Sequence, residues 1–278
     1  MALKLGLLKT VCLILIWGVS GCAYMTPDER RLHAQQIVKQ AGWVGESIET
    51  SPFDLQVFKP ATLVSASHLT IYIEGDGLAW ISRTQPSQNP TPQRPIGLEL
   101  ALADSSDSVV YLARPCQYLS NFHCQISVWT SARFSQQVIH SMNHAIDQLK
   151  QQHKTDHLTL VGFSGGGTIA ALIAAQRSDV VKLITVASPL DHRHWTELMG
   201  ISDLEDSLNP VDVVDKLIHV PQVHWVGEKD RVVPKAVADQ FISRFPANAK
   251  PKLILVPEYD HSCCWPESWA SNLEQVRP

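Results

Sequence analysis

Leu158-Thr159-Leu160-Val161-Gly162-Phe163-Ser164-Gly165-Gly166-Gly167 is the stretch on which the reading of this chain turns. A short apolar run ends in a glycine-flanked serine. Then Gly165–Gln176 follows, rich in Ala, Leu and Ile on almost every face. The run has the length and residue types of a strand buried on both faces, and the segment after it those of a helix buried against a sheet. A strand-to-helix turn this tight forces its central residue into strained backbone geometry, so its neighbours must be glycines. It leaves the serine hydroxyl clear of the sheet at a helix N-terminus, where backbone N–H groups and the helix dipole favour negative charge.

Five further β-branched apolar runs share the character of Leu158–Val161: Leu69–Ile73, Val109–Leu112, Leu183–Val186, Val223–Val226 and Leu253–Val256. Helical patterns alternate with them. Phe134, Val138, Met142, Ile146 and Leu149 form one amphipathic face. Val233–Phe245 and Cys264–Val276 complete the series, with Pro234 near a helix start, where proline is tolerated. Strand alternating with helix predicts an α/β fold with a mostly parallel, doubly wound sheet and right-handed crossovers. Working groups in such a sheet gather at the carboxyl ends of the strands. Residues 79–96 break the pattern: Pro86, Pro90, Pro92 and Pro95 exclude a helix or a central strand. The segment is expected to be a long loop, either a surface excursion or a rim or lid over the site.

The 278 residues suffice for one substantial core, and 45% apolar with 18% charged residues is ordinary for a globular chain. A formal net charge of −4, with no basic concentration, argues against nucleic acid as a partner. The N-terminus reads separately. Lys4 and Lys9 precede the apolar Val11–Val19, which is too short to span a bilayer and reads as an export signal. It ends in Val19-Ser20-Gly21-Cys22, which resembles a bacterial lipobox. That resemblance implies cleavage after residue 21, lipidation of Cys22 and a membrane-anchored protein of the cell envelope. Ala23 after the cysteine points to the outer membrane, facing the periplasm. The expected organisation is a signal peptide over 1–21, a tether over 22–65 with a helix at Pro27–Ala41, and the α/β domain over 66–278.

In an oxidising compartment Cys116, Cys124, Cys263 and Cys264 would pair, in any of three ways. One way joins Cys116 to Cys124 and Cys263 to its neighbour. The other two would clamp the loop after residue 260 to the loop after Val109–Leu112. The spacings lack a CxxC pair, so a metal site is disfavoured.

A serine hydroxyl needs a base, and the base an orienting acid. Two later strand ends offer them in chain order: Asp230 in Gly227–Pro234, and His261 after Leu253–Val256. Asp191 competes as the acid. His192, His194, His219 and His224 compete as the base, with His224 expected to be packed inside its strand and His192 and His194 to line the pocket. Asp260 reads as a turn residue.

Here the chain resembles the α/β-hydrolase superfamily, and within it lipobox-bearing proteobacterial hydrolases. The segments that carry the likeness are Ile71–Gly77 (IYIEGDG), Ala113–Tyr118 (ARPCQY), Gly162–Gly166, Ser207–Pro210 (SLNP) and Pro221–Pro234. The resemblance implies Ser164 as nucleophile, Asp230 as acid, His261 as general base, and the N–H groups of Asp76 and Gly165 as oxyanion donors. Glu74 departs from the pattern, standing where many lipases carry a histidine. The expectation is an esterase-like serine hydrolase that needs no metal or organic cofactor and acts on a carboxylic ester, with lipids and thioesters among the candidates. An acyltransferase with the same triad, or a hydrolase-fold scaffold with weak turnover, are the alternatives. Glu74 and Asp76 favour the scaffold, because negative charge near an oxyanion opposes catalysis unless it is turned away.

Overall fold

The computed structural model describes residues 24–62 and 66–276. The signal segment and Cys22 lie outside the described residues. Eight strands form one sheet: β1 (Trp43–Glu49), β2 (Asp54–Pro60), β3 (His68–Ile73), β4 (Val109–Leu112), β5 (His157–Phe163), β6 (Val180–Val186), β7 (Gln222–Gly227) and β8 (Lys252–Val256). Their order is β1-β2-β4-β3-β5-β6-β7-β8. Strands β3 to β8 pair in parallel, while β1 with β2 and β2 with β4 pair antiparallel.

The sheet therefore starts at Trp43, ahead of the boundary expected at residue 66. What reads as a tether contains α1 (Pro27–Gln40) and an edge hairpin. Thr26 and Glu29 close a capping box at the start of α1, which satisfies two otherwise orphaned backbone donors.

Alternation along each strand sends side chains to two cores. Leu69, Ile71 and Ile73 of β3, with Leu158 and Leu160 of β5, face α3 (Gln136–His153), α4 (Gly165–Ala174) and α7 (Lys235–Ser243). Tyr72, Val161 and Phe163 face the other way, toward α2 (Ile96–Ala103) and α8 (Trp265–Glu274). Two short helices, α5 (His192–Met199) and α6 (Val214–Leu217), lie between β6 and β7 in the chain. No helix among the described residues is long and apolar enough to cross a membrane.

His224 shows what burial does to a polar group in this core. It lies inside β7, its Nδ1 2.8 Å from Thr185 Oγ1 and its ring edge-on to Phe241. Burial lowers its pKa to about 3, so the folded protein holds it neutral. The unfolded chain takes up that proton below about pH 6.5, which favours unfolding. Stability should therefore fall as pH drops from 6.5 toward 3, with this residue contributing about 2 kcal/mol of the loss at pH 5. His224→Asn, which keeps a partner for Thr185, should flatten the decline in melting temperature between pH 7 and pH 5. An unchanged slope would rule the histidine out.

Candidate active site

Ser164 joins β5 to α4 with φ 50° and ψ −125°, a left-handed conformation that a non-glycine residue holds only under constraint from its surroundings. Its N–H donates to Val186 O at 2.8 Å, which ties the turn to the end of β6. Asp230 and His261 occupy the loops after β7 and β8. His261 Nε2 stands 3.0 Å from Ser164 Oγ, and His261 Nδ1 stands 2.9 Å from Asp230 Oδ2. The other carboxylate oxygen of Asp230 accepts the N–H groups of Val232 and Val233, both at 2.8 Å. With Asp230 accepting from Nδ1–H, the lone pair at Nε2 is left facing the hydroxyl.

The competitors are employed elsewhere. Asp191 caps α5, accepting from His194 N–H and from Asn209 Nδ2. His192 is buried with Nε2 3.2 Å from Leu208 O, and neither it nor His194 lines the cavity beside Ser164, a correction to the expected pocket. Asp260 accepts from the N–H groups of Ser262 and Cys263, as a turn residue does.

The loop after β3 lies across Ser164: a methyl group on Gly75 would sit 3.3 Å from Ser164 Cβ. Gly165 is the first residue of α4, so its N–H has no intrahelical acceptor. The Asp76 N–H has no hydrogen-bond partner among the described residues. Gly165 directly follows Ser164, and Asp76 follows Gly75 in the loop that crosses it.

The negative charge feared at this spot is turned away. Glu74 is buried and its carboxylate reaches the start of α2, where it accepts from the N–H groups of Gly75 (2.9 Å), Gly97 (3.0 Å) and Leu98 (3.3 Å) and from Tyr111 OH (3.0 Å). Burial pushes its pKa up, and those hydrogen bonds oppose the rise. The Asp76 carboxylate pairs with Arg114 and Arg133. Burial alone would raise it, yet the two guanidiniums outweigh burial and hold it below the ordinary carboxylate range.

A cavity of about 700 Å³ opens over Ser164, within the size range of small-molecule sites. Ala79, Trp80, Pro92 and Arg94 of the proline-rich loop form one wall, and Trp195 and Val233 another. The loop is thus a rim, held by Trp129 Nε1 to Ser87 O at 3.0 Å and by Tyr118 N–H to Thr91 Oγ1 at 2.8 Å. Among the described residues no group of three or more His, Cys, Asp or Glu side chains is arranged to hold a metal ion.

Of the three pairings open to the four cysteines, the structure holds the one that leaves the His261 loop unclamped to the 113–118 loop. Cys116 bonds to Cys124, whose Cα lies 5.6 Å away because the chain turns back on itself, and Cys263 pairs with its neighbour Cys264. Sequence reasoning also missed Arg114, Arg133 and Gln117. The ARPCQY and IYIEGDG segments were visible, but nothing local says that one grips the other; Arg133 carries no signal at all.

The chain has the α/β-hydrolase fold. Residues 116–209 match the family model described as alpha/beta hydrolase fold. Similar solved structures include Est1E from Butyrivibrio proteoclasticus, 18% identical with a TM-score of 0.57, covering 84% of this chain and 98% of that one. An esterase from Pyrococcus furiosus is 14% identical with a TM-score of 0.59, covering 85% of this chain and 91% of that one. An alpha-beta serine hydrolase homologue from Coxiella burnetii is 16% identical with a TM-score of 0.53, covering 83% and 97%. No curated protein matches the chain by sequence.

Glu74→Gln would place an amide NH2 against two of the four donors that the carboxylate now accepts. It should cost about 1–3 kcal/mol of stability, read as a melting temperature lower by several degrees at pH 7. An unaltered melting temperature would show that these four bonds contribute little.

Proposed function

We propose that the chain is a serine hydrolase that cleaves a carboxylic ester through an acyl-enzyme on Ser164. The observation that carries this reading is the unbroken relay from Asp230 through His261 to Ser164 Oγ, at 2.9 and 3.0 Å, opening into the cavity. His261 Nε2 takes the serine proton as Oγ attacks the ester carbonyl. The resulting oxyanion is held by the N–H groups of Asp76 and Gly165. The imidazolium, steadied by Asp230, then gives its proton to the leaving alkoxide. Water, deprotonated by the same imidazole, attacks the acyl-enzyme, and collapse of the second tetrahedral intermediate releases the acid and restores Ser164. Fixed amides of this kind are worth about 3–4 kcal/mol each when aimed at developing charge.

Against the scaffold alternative stand the pairing of Asp76 with two arginines and the turning of Glu74 into α2. Each removes the charge that would oppose an oxyanion.

The lipobox at Val19–Cys22 supports lipid anchoring at Cys22 and an address in the bacterial envelope, at the outer membrane facing the periplasm. Arg30, eight residues past that cysteine, reaches the carbonyls of Asn89 and Thr91, next to the Pro92 wall of the cavity. An anchor at Cys22 would hold that wall close to the membrane, which favours a membrane-derived ester as substrate.

Ser164→Ala should abolish both fluorophosphonate labelling and turnover of p-nitrophenyl esters, and Asp230→Asn should lower kcat by about 10⁴-fold. Turnover that survives Ser164→Ala would overturn the assignment. Cys22→Ser should release the chain from the membrane fraction of an expressing bacterium; retention would remove the anchor.

A further inference from the structure

The segment Ala113–Tyr118 holds none of the reacting groups, yet its side chains converge on the loop that crosses the nucleophile. Gln117 Nε2 donates to Gly75 O at 2.9 Å, and Gln117 Oε1 accepts from Arg114 N–H at 3.1 Å. Arg114 Nη1 and Arg133 Nη1 take one oxygen each of the Asp76 carboxylate. Both arginines are themselves fixed. Arg114 Nη2 donates to Arg133 O at 2.8 Å and its guanidinium lies over the Phe134 ring, while Arg133 Nε donates to Thr130 O at 2.7 Å. Their side chains are only 4% and 5% exposed and that of Asp76 20%, so water has little access to this rigid fork.

The cluster presses on the second amide as well. A methyl group on Gly165 would collide with Asp76 Oδ1 and lie 2.6 Å from Arg114 Nη1. A residue clamped at its side chain on both sides, with the preceding carbonyl also held, cannot rotate its peptide freely. An oxyanion donor gains most from that immobility, since it then needs no reorganisation when charge develops. Two cations against one carboxylate also leave a formal positive charge beside the donors, and the other nearby carboxylate, Glu74, faces the N–H groups of α2.

We propose that Arg114 and Arg133 are positioning residues of the active site: by clamping the Asp76 carboxylate they fix the Asp76 N–H as an oxyanion donor, and Gln117 fixes the peptide before it. This rests on the serine-hydrolase reading given above. It assigns the ARPCQY segment a task, and it places the Cys116–Cys124 bond in the brace for the oxyanion side of the site.

The test compares Arg133→Met, Arg133→Lys and Gln117→Met with the wild-type full chain on a p-nitrophenyl ester. Arg133→Met should lower kcat by roughly 100-fold with KM within about threefold, and Arg133→Lys should recover about tenfold of the loss. The pH at half-maximal kcat/KM should stay in place. A trifluoromethyl ketone, which forms a tetrahedral adduct with the serine, should lose affinity in step with kcat/KM, whereas the matching methyl ketone should not. A folded Arg133→Met with kcat within threefold of wild type would overturn the proposal, as would equal losses for both ketones. Should Arg133→Met not fold, the ketone comparison on Arg133→Lys and Gln117→Met decides by the same criterion. A wild-type chain that hydrolyses no ester takes the serine-hydrolase reading down and this proposal with it; an active one with indifferent Arg133 variants takes down only this proposal.

Discussion

Ser164 sits at φ 50° because β5 and α4 leave the chain no wider turn, and the rest of the site is arranged around that constraint. A strained residue of this kind costs on the order of 1–3 kcal/mol and persists only where its surroundings over-determine it. Here they do. Apolar side chains bury α4 against the sheet from end to end, and the Ser164 N–H is anchored to the neighbouring strand. The return on the strain is positional: one backbone conformation places the hydroxyl toward the imidazole and leaves the next amide without an acceptor.

Charge is handled by the same logic of confinement. Four carboxylates in the loops at the strand ends show it, each met in a different way. Asp230 receives backbone N–H groups and an imidazole, and Asp191 caps a helix. Glu74 meets the first turn of α2, and Asp76 meets two guanidiniums. A buried carboxylate without such company would be costly. With it, each becomes a fixed point from which a loop can hang. The loops that carry chemistry here are held by polar contacts as much as by packing.

Much of this was legible in the residues. Leu69–Ile73, Val109–Leu112 and their counterparts are apolar nearly throughout, which only a doubly covered parallel sheet requires, and each is a strand within a residue or three of its expected end. The serine, aspartate and histidine were legible because each follows such a strand at the same edge. The hairpin β1–β2 was not. It lies at the rim of the sheet, and β1 is half exposed, so its composition does not distinguish it from a surface segment. Helix α2 was hidden for the opposite reason: Ile96–Ala103 is apolar on nearly every face and follows prolines, so no period stands out. The arginine clamp depends on residues 76, 114 and 133 meeting in space, and no local pattern encodes a meeting.

The hairpin that extends the sheet has one more consequence. Through β2 it covers the outer edge of β4, and just ahead of it Arg30 of α1 holds the carbonyls of the loop that walls the cavity. Residues 27–60 thus act as a strap around the domain rather than as a leash beside it. Shortening the protein to its alternating strands and helices would bare an unpaired sheet edge, an invitation to aggregate, and would unfasten the rim of the cavity.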